Sequence, residues 1–327
     1  MARIVFMGTP EFAVPALERL ASRPDVSVCL VVSQPDRPAG RGRKLVSPPV
    51  TVAAEGLGLP VLQVSTLRDP EARRRIVEVR PDLVVVAAFG MILGRWILAL
   101  PARGCVNVHA SLLPKYRGAS PIAAALAMGE TMTGVSLMRM DAGLDTGDVL
   151  ARVEVGIRPD DTAESLGRRL AVAGAELLDA ELGAIVSGRA VAVPQGPGAT
   201  MTRPMVKDDG WLDFRRSAHE LERHVRAMWP WPRAWTTMPD GQRLQIHRAA
   251  VVEGREGEPG MVVREENRQI LVATGAGALW VQRVQFAGGR PLDGHALLSH
   301  PALVSGIRLG VVGAPERLPP LVEPVGV

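Results

Sequence analysis

The sequence predicts an α/β protein whose N-terminal part is a doubly wound, mostly parallel sheet, followed by a smaller β-barrel domain of the OB type. Apolar runs at 3–7, 26–32 and 83–88 are typical of strands buried on both faces, and helical patterns separate them. A segment rich in proline and glycine, 190–205, then breaks the periodicity. Beyond it, short strand patterns alternate with glycine-rich turns, which favours a small barrel.

In the N-terminal part, the first strand pattern ends in Gly8-Thr9-Pro10 and is followed by helical spacing over 11–21. The third apolar run ends before Phe89-Gly90, and a further strand pattern covers 105–109. Ligands of doubly wound sheets bind beyond the carboxyl ends of the strands. We therefore expect a binding crevice where these strand ends meet.

The rest of the chain divides into further elements and two domains. We expect a helix at 121–128, strands at 133–140 and 149–155 around an acidic turn at 141–148, and a long helix at 161–186. After the proline-rich segment we expect a helix at 217–228 and strands at 244–247, 261–263, 270–273 and 279–284. The predicted boundaries are 1–189 for the first domain, 190–205 for the linker and 206–327 for the second domain.

Composition excludes several classes of protein. The 327 residues are 47% hydrophobic and 22% charged, as in ordinary globular chains, and the net charge is +4. No apolar run approaches the ~20 residues that span a bilayer, and the N-terminus lacks the pattern of a signal peptide. Cys29 and Cys105 provide neither a disulfide framework nor the spacing of a metal site. We expect a cytoplasmic protein that binds no metal.

The stretch Cys105–Gly118 carries the candidate chemistry. Residues two apart in a strand point to the same face, so Asn107 and His109 emerge side by side at the strand's end. His109 is also the only histidine before His219. A lone histidine in such a turn is more often structural than catalytic, so this pattern needs further support.

Motifs of other enzyme classes are missing around this stretch. Gly8-Thr-Pro lacks the spaced glycines of a dinucleotide site, no phosphate-binding loop is present, and Ser111 follows no nucleophile elbow. An amide, an imidazole and a nearby carboxylate together suit acyl transfer. Asn107 would donate a hydrogen bond to a developing oxyanion, a role worth ~3 kcal/mol in other enzymes, while His109 shares that role or carries a proton.

A basic connection at 34–45 is unusually long for a compact domain. Arg37, Arg41, Arg43 and Lys44 stand there against the single acid Asp36. Backbone phosphates of a nucleic acid are the natural target of such a segment. The alternative is a solvated loop without a partner.

The residues Asn107-Val-His-Ala-Ser-Leu-Leu-Pro-Lys-Tyr-Arg-Gly118, followed by Leu144-Asp-Thr-Gly-Asp148, resemble the signature of the 10-formyltetrahydrofolate-dependent formyltransferases. Gly8–Ala13 and the basic segment 34–45 are similar to the branch of that family that formylates methionyl-tRNA. Pro230-Trp-Pro-Arg-Ala-Trp235 resembles the C-terminal domain of the same branch. The resemblance covers nearly the whole chain.

This resemblance implies a Rossmann-like formyltransferase domain, a C-terminal tRNA-binding barrel, and a bacterial enzyme of translation initiation that acts as a monomer. The implied catalytic residues are Asn107, His109 and Asp145. The co-substrate, 10-formyltetrahydrofolate, would be held by Phe89, Gly90, Ser111, Leu112, Leu113 and Pro114. Methionyl initiator tRNA would contact Arg37, Arg41, Arg43 and Lys44. The implied reaction is direct attack of the methionyl α-amine on the formyl carbon through a tetrahedral intermediate, without a metal.

Two alternatives remain open from the sequence. Sister enzymes formylate a small amine, such as glycinamide ribonucleotide or an amino sugar nucleotide, with the same three residues, so the trio indicates the reaction better than the acceptor. A non-catalytic RNA-binding protein on the same scaffold is disfavoured because Asn107, His109 and Asp145 are all present.

Overall fold

The computed structural model describes residues 1–39, 44–255, 257–264, 269–316 and 318–325. The strands are β1 (Ala2–Gly8), β2 (Val26–Ser33), β3 (Arg37–Ala39), β4 (Lys44–Val46), β5 (Val61–Gln63), β6 (Leu83–Ala87), β7 (Cys105–His109), β8 (Arg117–Gly118), β9 (Met132–Arg139), β10 (Val149–Gly156), β11 (Thr200–Thr202), β12 (Trp235–Thr237), β13 (Arg243–Val252), β14 (Val262–Arg264), β15 (Ile270–Ala273), β16 (Ala278–Phe286), β17 (Pro291–Asp293) and β18 (Val322–Pro324). The α-helices are α1 (Val14–Ala21), α2 (Pro49–Gly56), α3 (Pro70–Glu78), α4 (Arg95–Leu98), α5 (Pro121–Met128), α6 (Ala163–Ser187), α7 (Ala218–Ala227) and α8 (Gly294–Leu298), and short 3₁₀ turns lie at Glu11–Ala13 and Lys207–Gly210.

The first sheet contains seven of the described strands, in the order β10-β9-β7-β6-β1-β2-β5. Neighbouring strands from β7 to β5 run parallel, whereas β9 and β10 continue the sheet antiparallel at one edge. The prediction of a mostly parallel sheet is confirmed. The order reverses between β1 and β6, which opens a crevice at their carboxyl ends.

Helices cover both faces of this sheet because its central strands are apolar on both faces. In β1, Ile4 and Phe6 pack with the helices α1, α2 and α6, while Val5 and Met7 pack with α3 and α4 on the other side. All four of these side chains are fully buried. A double-faced core of this kind fixes the strands rigidly, so side chains at their ends are held in place.

The long predicted helix is α6, which begins with a capping box. The Thr162 hydroxyl accepts from the Ser165 amide, and the Ser165 hydroxyl accepts from the Thr162 amide. The helix ends at Gly188, whose left-handed conformation (φ 77°) favours glycine. Of the helices in the described ranges, none is both long and apolar enough to cross a membrane.

The second half of the chain is built on an antiparallel sheet. Within the described residues its order is β12-β13-β16-β15-β14, and β17 pairs with β16. Ser217 and Glu220 form a capping box at the start of α7, which packs between this sheet and α5 of the first domain. At that boundary the Arg226 guanidinium donates to the Asp161 carbonyl at 2.9 Å. Buried side chains of both halves form one continuous cluster.

The segment predicted as a linker, 190–205, contains a short strand. Its residues Thr200–Thr202 form β11, which pairs parallel with β8 and antiparallel with β18 near the end of the chain. Three residues are too few to show alternation in a sequence, and both partners are distant along the chain. This small sheet connects the C-terminal segment to the loop that follows β7.

Candidate active site

Strand β7 presents Asn107 and His109 at its carboxyl end, as the alternation predicts. The strand lies between β6 and β9, with Asn107 opposite Val86 on one side and His109 opposite Ser136 on the other. Only 9% of Asn107 and 5% of His109 is exposed. Both polar side chains therefore occupy a largely desolvated position, where electrostatic interactions are stronger than in water.

Asp145 meets both of these side chains from the turn between β9 and β10. Its Oδ1 accepts a hydrogen bond from the Asn107 Nδ2 at 3.3 Å, and its Oδ2 lies 3.6 Å from the His109 Nδ1. The exposed fraction of the Asp145 side chain is 11%. The structure thus brings together the three residues predicted to be catalytic, each oxygen of the carboxylate facing one partner.

The backbone carbonyl of Tyr116 determines which nitrogen of His109 carries a hydrogen in the neutral ring. The His109 Nε2 lies 2.9 Å from this carbonyl oxygen, which only accepts, so Nε2 must be the donor. The Nδ1, facing Asp145, is therefore the nitrogen that gains or loses a proton. The site can thus donate a hydrogen bond from Asn107 and exchange a proton between His109 and Asp145.

Asp145 adopts a left-handed backbone conformation with φ of 52°, which is unfavourable for residues other than glycine, asparagine and aspartate. Distant groups support it. The Gly118 amide donates to its Oδ2 at 2.9 Å, and the Gln195 side-chain amide donates to its backbone carbonyl at 2.8 Å. Within the turn, the Asp141 carboxylate accepts from the Gly143 amide at 3.0 Å.

Sequence reasoning did not identify Tyr116, Gly118, Gln195 or Thr200, whose hydroxyl accepts from the Tyr116 amide at 2.8 Å. Tyr116 and Gly118 contribute backbone atoms, which any residue type provides, whereas Thr200 and Gln195 contribute side chains. Of the four, Gln195 carries a signal in the sequence, because it is the only long polar side chain between Val191 and Ala199.

The stretch Ser111–Pro114, predicted to hold folate, divides into inward and outward residues. The Ser111 hydroxyl is fully buried and donates to the Lys115 carbonyl at 2.6 Å. The Leu113 side chain is buried against Met138. These two side chains shape the loop, while Leu112 and Pro114 are half-buried. Folate contact by this stretch stays a prediction.

Phe89 and Gly90, also predicted to hold folate, follow β6 at the same edge of the sheet. Phe89 is 2% exposed. Its backbone carbonyl accepts from the Thr9 hydroxyl at 3.0 Å and from the Gln34 side-chain amide at 2.9 Å. Gly90 is exposed with φ of 78°, and a Cβ there would lie 2.5 Å from the Gln34 amide nitrogen. The turns after β1 and β2 therefore hold the loop after β6, and the positive φ and the closeness of Gln34 favour glycine at its tip.

Of the four basic residues predicted to contact tRNA, Arg37 and Lys44 are described. They lie in the strands β3 and β4, which pair antiparallel as the stem of a hairpin. The Arg37 guanidinium donates to the Gln34 side chain, which in turn donates to the Phe89 carbonyl. Arg41 and Arg43 lie outside the described residues. The expected loop is thus a hairpin stem that is hydrogen-bonded to the crevice.

Two other titratable groups near the site do not act as nucleophiles at neutral pH. Burial raises the pKa of the Cys105 thiol to about 12. Burial, together with the hydrogen bond to Glu130, also raises the pKa of Tyr116 well above its usual range. Neither Cys105 nor Tyr116 is therefore a candidate nucleophile for acyl transfer at this site.

Comparison with known proteins agrees with this geometry. Residues 2–182 match the Formyl transferase family, and residues 204–301 match the Formyl transferase C-terminal domain. The chain belongs to the formyl transferase family. The methionyl-tRNA formyltransferase of Geobacter sulfurreducens is 45% identical to it over 96% of this chain and 99% of that protein. That of Myxococcus xanthus is 46% identical over 95% and 99%.

Solved formyl transferase structures share the fold at low identity. An N-formyltransferase from Helicobacter canadensis, crystallised with folinic acid and dTDP-3-aminofucose, superposes with a TM-score of 0.64, 18% identity, and coverage of 86% of this chain and 99% of that chain. HypX from Aquifex aeolicus, in complex with tetrahydrofolic acid, gives 0.61 and 18%, with coverage of 93% and 48%. At this level of identity the similarity concerns the fold alone.

Proposed function

We propose that the protein transfers the formyl group of 10-formyltetrahydrofolate to the α-amino group of methionyl initiator tRNA, for translation initiation. The observation that carries this proposal is the identity of 45% with a methionyl-tRNA formyltransferase over almost the full length of both chains. The convergence of Asn107, His109 and Asp145 supports it from the side of the chemistry. We expect a monomer that works in the cytoplasm.

In the proposed reaction the methionyl amine attacks the formyl carbon directly. A C–N bond forms to the amine, the formyl oxygen takes the negative charge of a tetrahedral intermediate, and the bond from the formyl carbon to the folate nitrogen N10 then breaks. The Asn107 side-chain amide has two N–H groups. One donates to Asp145, and the other donates to the oxyanion and stabilises it. Removal of such a donor costs about 3–4 kcal/mol in comparable sites.

Proton transfer in this scheme uses the Nδ1 of His109. The amine loses one proton as the new bond forms, and the folate nitrogen gains one as it leaves. The His109 Nε2 is held by the Tyr116 carbonyl, so only the Nδ1 edge, beside Asp145, is placed to exchange protons. The Asp145 carboxylate lies beside Nδ1 and keeps the ring oriented.

Substrate contacts follow the sheet edge in our proposal. The folate is held by the loops after β6 and β7, through Phe89 and Gly90 and through Ser111–Pro114, where the buried Ser111 and Leu113 act by shaping the loop. The acceptor end of the tRNA meets the basic segment 34–45, through Arg37, Arg41, Arg43 and Lys44.

Formylation of a small amine is the alternative that the catalytic trio alone does not exclude. The relatives of 45% and 46% identity are named for the tRNA substrate and match both domains. The N-formyltransferase from Helicobacter canadensis, crystallised with dTDP-3-aminofucose, is 18% identical. The closer identity favours the tRNA substrate.

The test is a competition of acceptors. Purified protein is incubated with 10-formyltetrahydrofolate and either methionyl initiator tRNA, glycinamide ribonucleotide or an amino sugar nucleotide, and formylated product is measured. We expect kcat/KM for the tRNA to exceed that for both small amines by at least about 100-fold, because the small amines lack contacts to the basic segment 34–45. Comparable rates with a small amine would refute the proposed acceptor.

The role of the basic segment 34–45 is tested by salt dependence. Replacing Arg41 and Arg43 by alanine should raise the KM for tRNA, and the slope of log kcat/KM against log salt should fall by roughly 0.7–0.9 for each phosphate that the variant no longer neutralises. Arg19 and Arg168, exposed on α1 and α6, provide a matched pair with the same change of net charge. An unchanged slope in the Arg41/Arg43 variant would mean that these two arginines do not contact phosphates.

A further inference from the structure

The segment between the two domains, 190–205, runs beside the turn that carries Asp145. Val193 exchanges two backbone hydrogen bonds with Val149, the first residue of β10, at 2.8 and 2.9 Å. These bonds fix the path of the segment beside the start of β10, four residues after Asp145. Gln195 follows two residues later and reaches the turn itself.

The side-chain amide of Gln195 is fully hydrogen-bonded. Its Nε2 donates to the carbonyls of Asp145 and Gly147, both at 2.8 Å. Its Oε1 accepts from the Arg117 Nε at 3.1 Å and Nη2 at 2.8 Å. Carbonyls only accept and a guanidinium only donates, so the amide has a single possible orientation, and all four of its hydrogen-bonding positions are used.

These contacts act on the backbone on both sides of the Asp145 side chain. Asp145 is held in a left-handed conformation, and the two carbonyls bound by Gln195 belong to that residue and to the residue two positions later. The other end of the amide reaches Arg117, next to Gly118, whose own amide donates to the Asp145 carboxylate. Gln195 thus bridges the two loops between which the carboxylate is fixed.

We infer that Gln195 is a positioning residue of the active site, which sets the Asp145 carboxylate against His109 and Asn107 by clamping the backbone of its turn. The inference rests on the proposed function, since it assumes that Asp145 takes part in formyl transfer. It assigns to the segment between the domains a role in the chemical step, in addition to joining the two domains.

The test compares Gln195→Met, Gln195→Glu and, as a control, Val191→Ala in the full-length chain with methionyl-tRNA and 10-formyltetrahydrofolate. Gln195→Met removes all four bonds, and we expect kcat to fall about 10- to 100-fold, because displacement of a reacting group by ~1 Å costs up to about 100-fold. The KM for each substrate should change less than about 3-fold. Val191 is 74% exposed in the same segment, and its replacement should leave kcat unchanged.

Gln195→Glu separates the two ends of the amide. One carboxylate oxygen still accepts from Arg117. The other replaces the Nε2 group, cannot donate, and lies against the carbonyl oxygens of both Asp145 and Gly147. The loss of kcat should therefore be at least as large as in Gln195→Met. Wild-type kcat in Gln195→Glu would overturn the inference, as would a raised KM for tRNA with unchanged kcat, which would indicate a substrate contact instead. Because Gln195 is half-buried and outside the hydrophobic core, both variants should melt within a few degrees of the wild type.

A double variant distinguishes this inference from the proposed function. If Gln195 acts only through Asp145, adding Gln195→Met to Asp145→Asn lowers kcat much less than it does in the wild type. Multiplicative losses would overturn the inference. Wild-type kcat in Asp145→Asn alone would instead contradict the catalytic role of Asp145, whatever the Gln195 variants show.

Discussion

The two halves of the active site are held in different ways. Asn107 and His109 stand on β7, whose backbone is paired on both sides and whose neighbours bury both faces of the sheet. Asp145 stands in a turn with a left-handed backbone conformation, and its contacts come from residues far along the chain. The sheet therefore positions the strand half of the site, Asn107 and His109. Separate polar contacts position the turn half, Asp145.

This difference suggests where substitutions act. Changes on the strand half remove a chemical group from a rigid frame and leave the frame intact. Changes around the turn half keep every chemical group and alter their distances. Substitutions of the first kind should cost the full contribution of the group, and those of the second kind should cost less.

The largest effect should come from the strand half. His109→Ala removes the proton-exchanging group at the Nδ1 position, and we expect kcat to fall about 1,000-fold, within the range of general acid–base catalysis. The KM values should change little because the backbone of β7 is unaffected. His219→Ala is the matched control, since that side chain is 61% exposed in the C-terminal half, where it pairs with the exposed Glu253. Wild-type kcat in His109→Ala would contradict the catalytic assignment.

The strand half is also the half that could be predicted from the sequence. The alternation in Cys105–His109 is local information, and so is the apolar pattern of the neighbouring strands. The turn at 141–148 was predicted as a turn, but the residue that the geometry selects within it, Asp145, came from family resemblance. Its support by Gln195 was not predicted, because a contact between residues 50 positions apart has no local pattern.

The tautomer of His109 was likewise beyond the sequence. It depends on the carbonyl of Tyr116, and every residue has a carbonyl. The strand β11 was missed for a related reason, because its hydrogen-bonding partners, β8 and β18, supply the order that its own three residues do not encode. Local pattern thus predicted the longer strands and helices around the site, and long-range polar contacts determined the geometry of the site.

A glycine substitution tests the turn half by displacement alone. A Cβ at Gly147 would lie 1.9 Å from the Arg139 carbonyl oxygen, so Gly147→Ala must move the turn. We expect kcat to fall about 100-fold with all three catalytic groups still present. Gly156→Ala, at the other end of β10, meets no atom within 4 Å and should retain wild-type kcat. Equal kcat values for the two variants would show that the turn tolerates displacement.

The smallest effects concern the carbonyl that orients His109, and they join the two halves. Thr200→Val removes the acceptor of the Tyr116 amide and keeps the shape of the side chain. An unpaired buried amide costs about 1–3 kcal/mol, so the backbone at Tyr116 should shift and kcat should fall about 10-fold.

Tyr116→Phe removes only the hydroxyl that donates to Glu130 at 2.6 Å. Because the backbone bonds remain, we expect it to lower the free energy of unfolding by about 1–2 kcal/mol and kcat by no more than about 2-fold. If Tyr116→Phe instead lowered kcat more than Thr200→Val, the hydroxyl and not the segment between the domains would fix the carbonyl, and the dependence of His109 on that segment would be refuted.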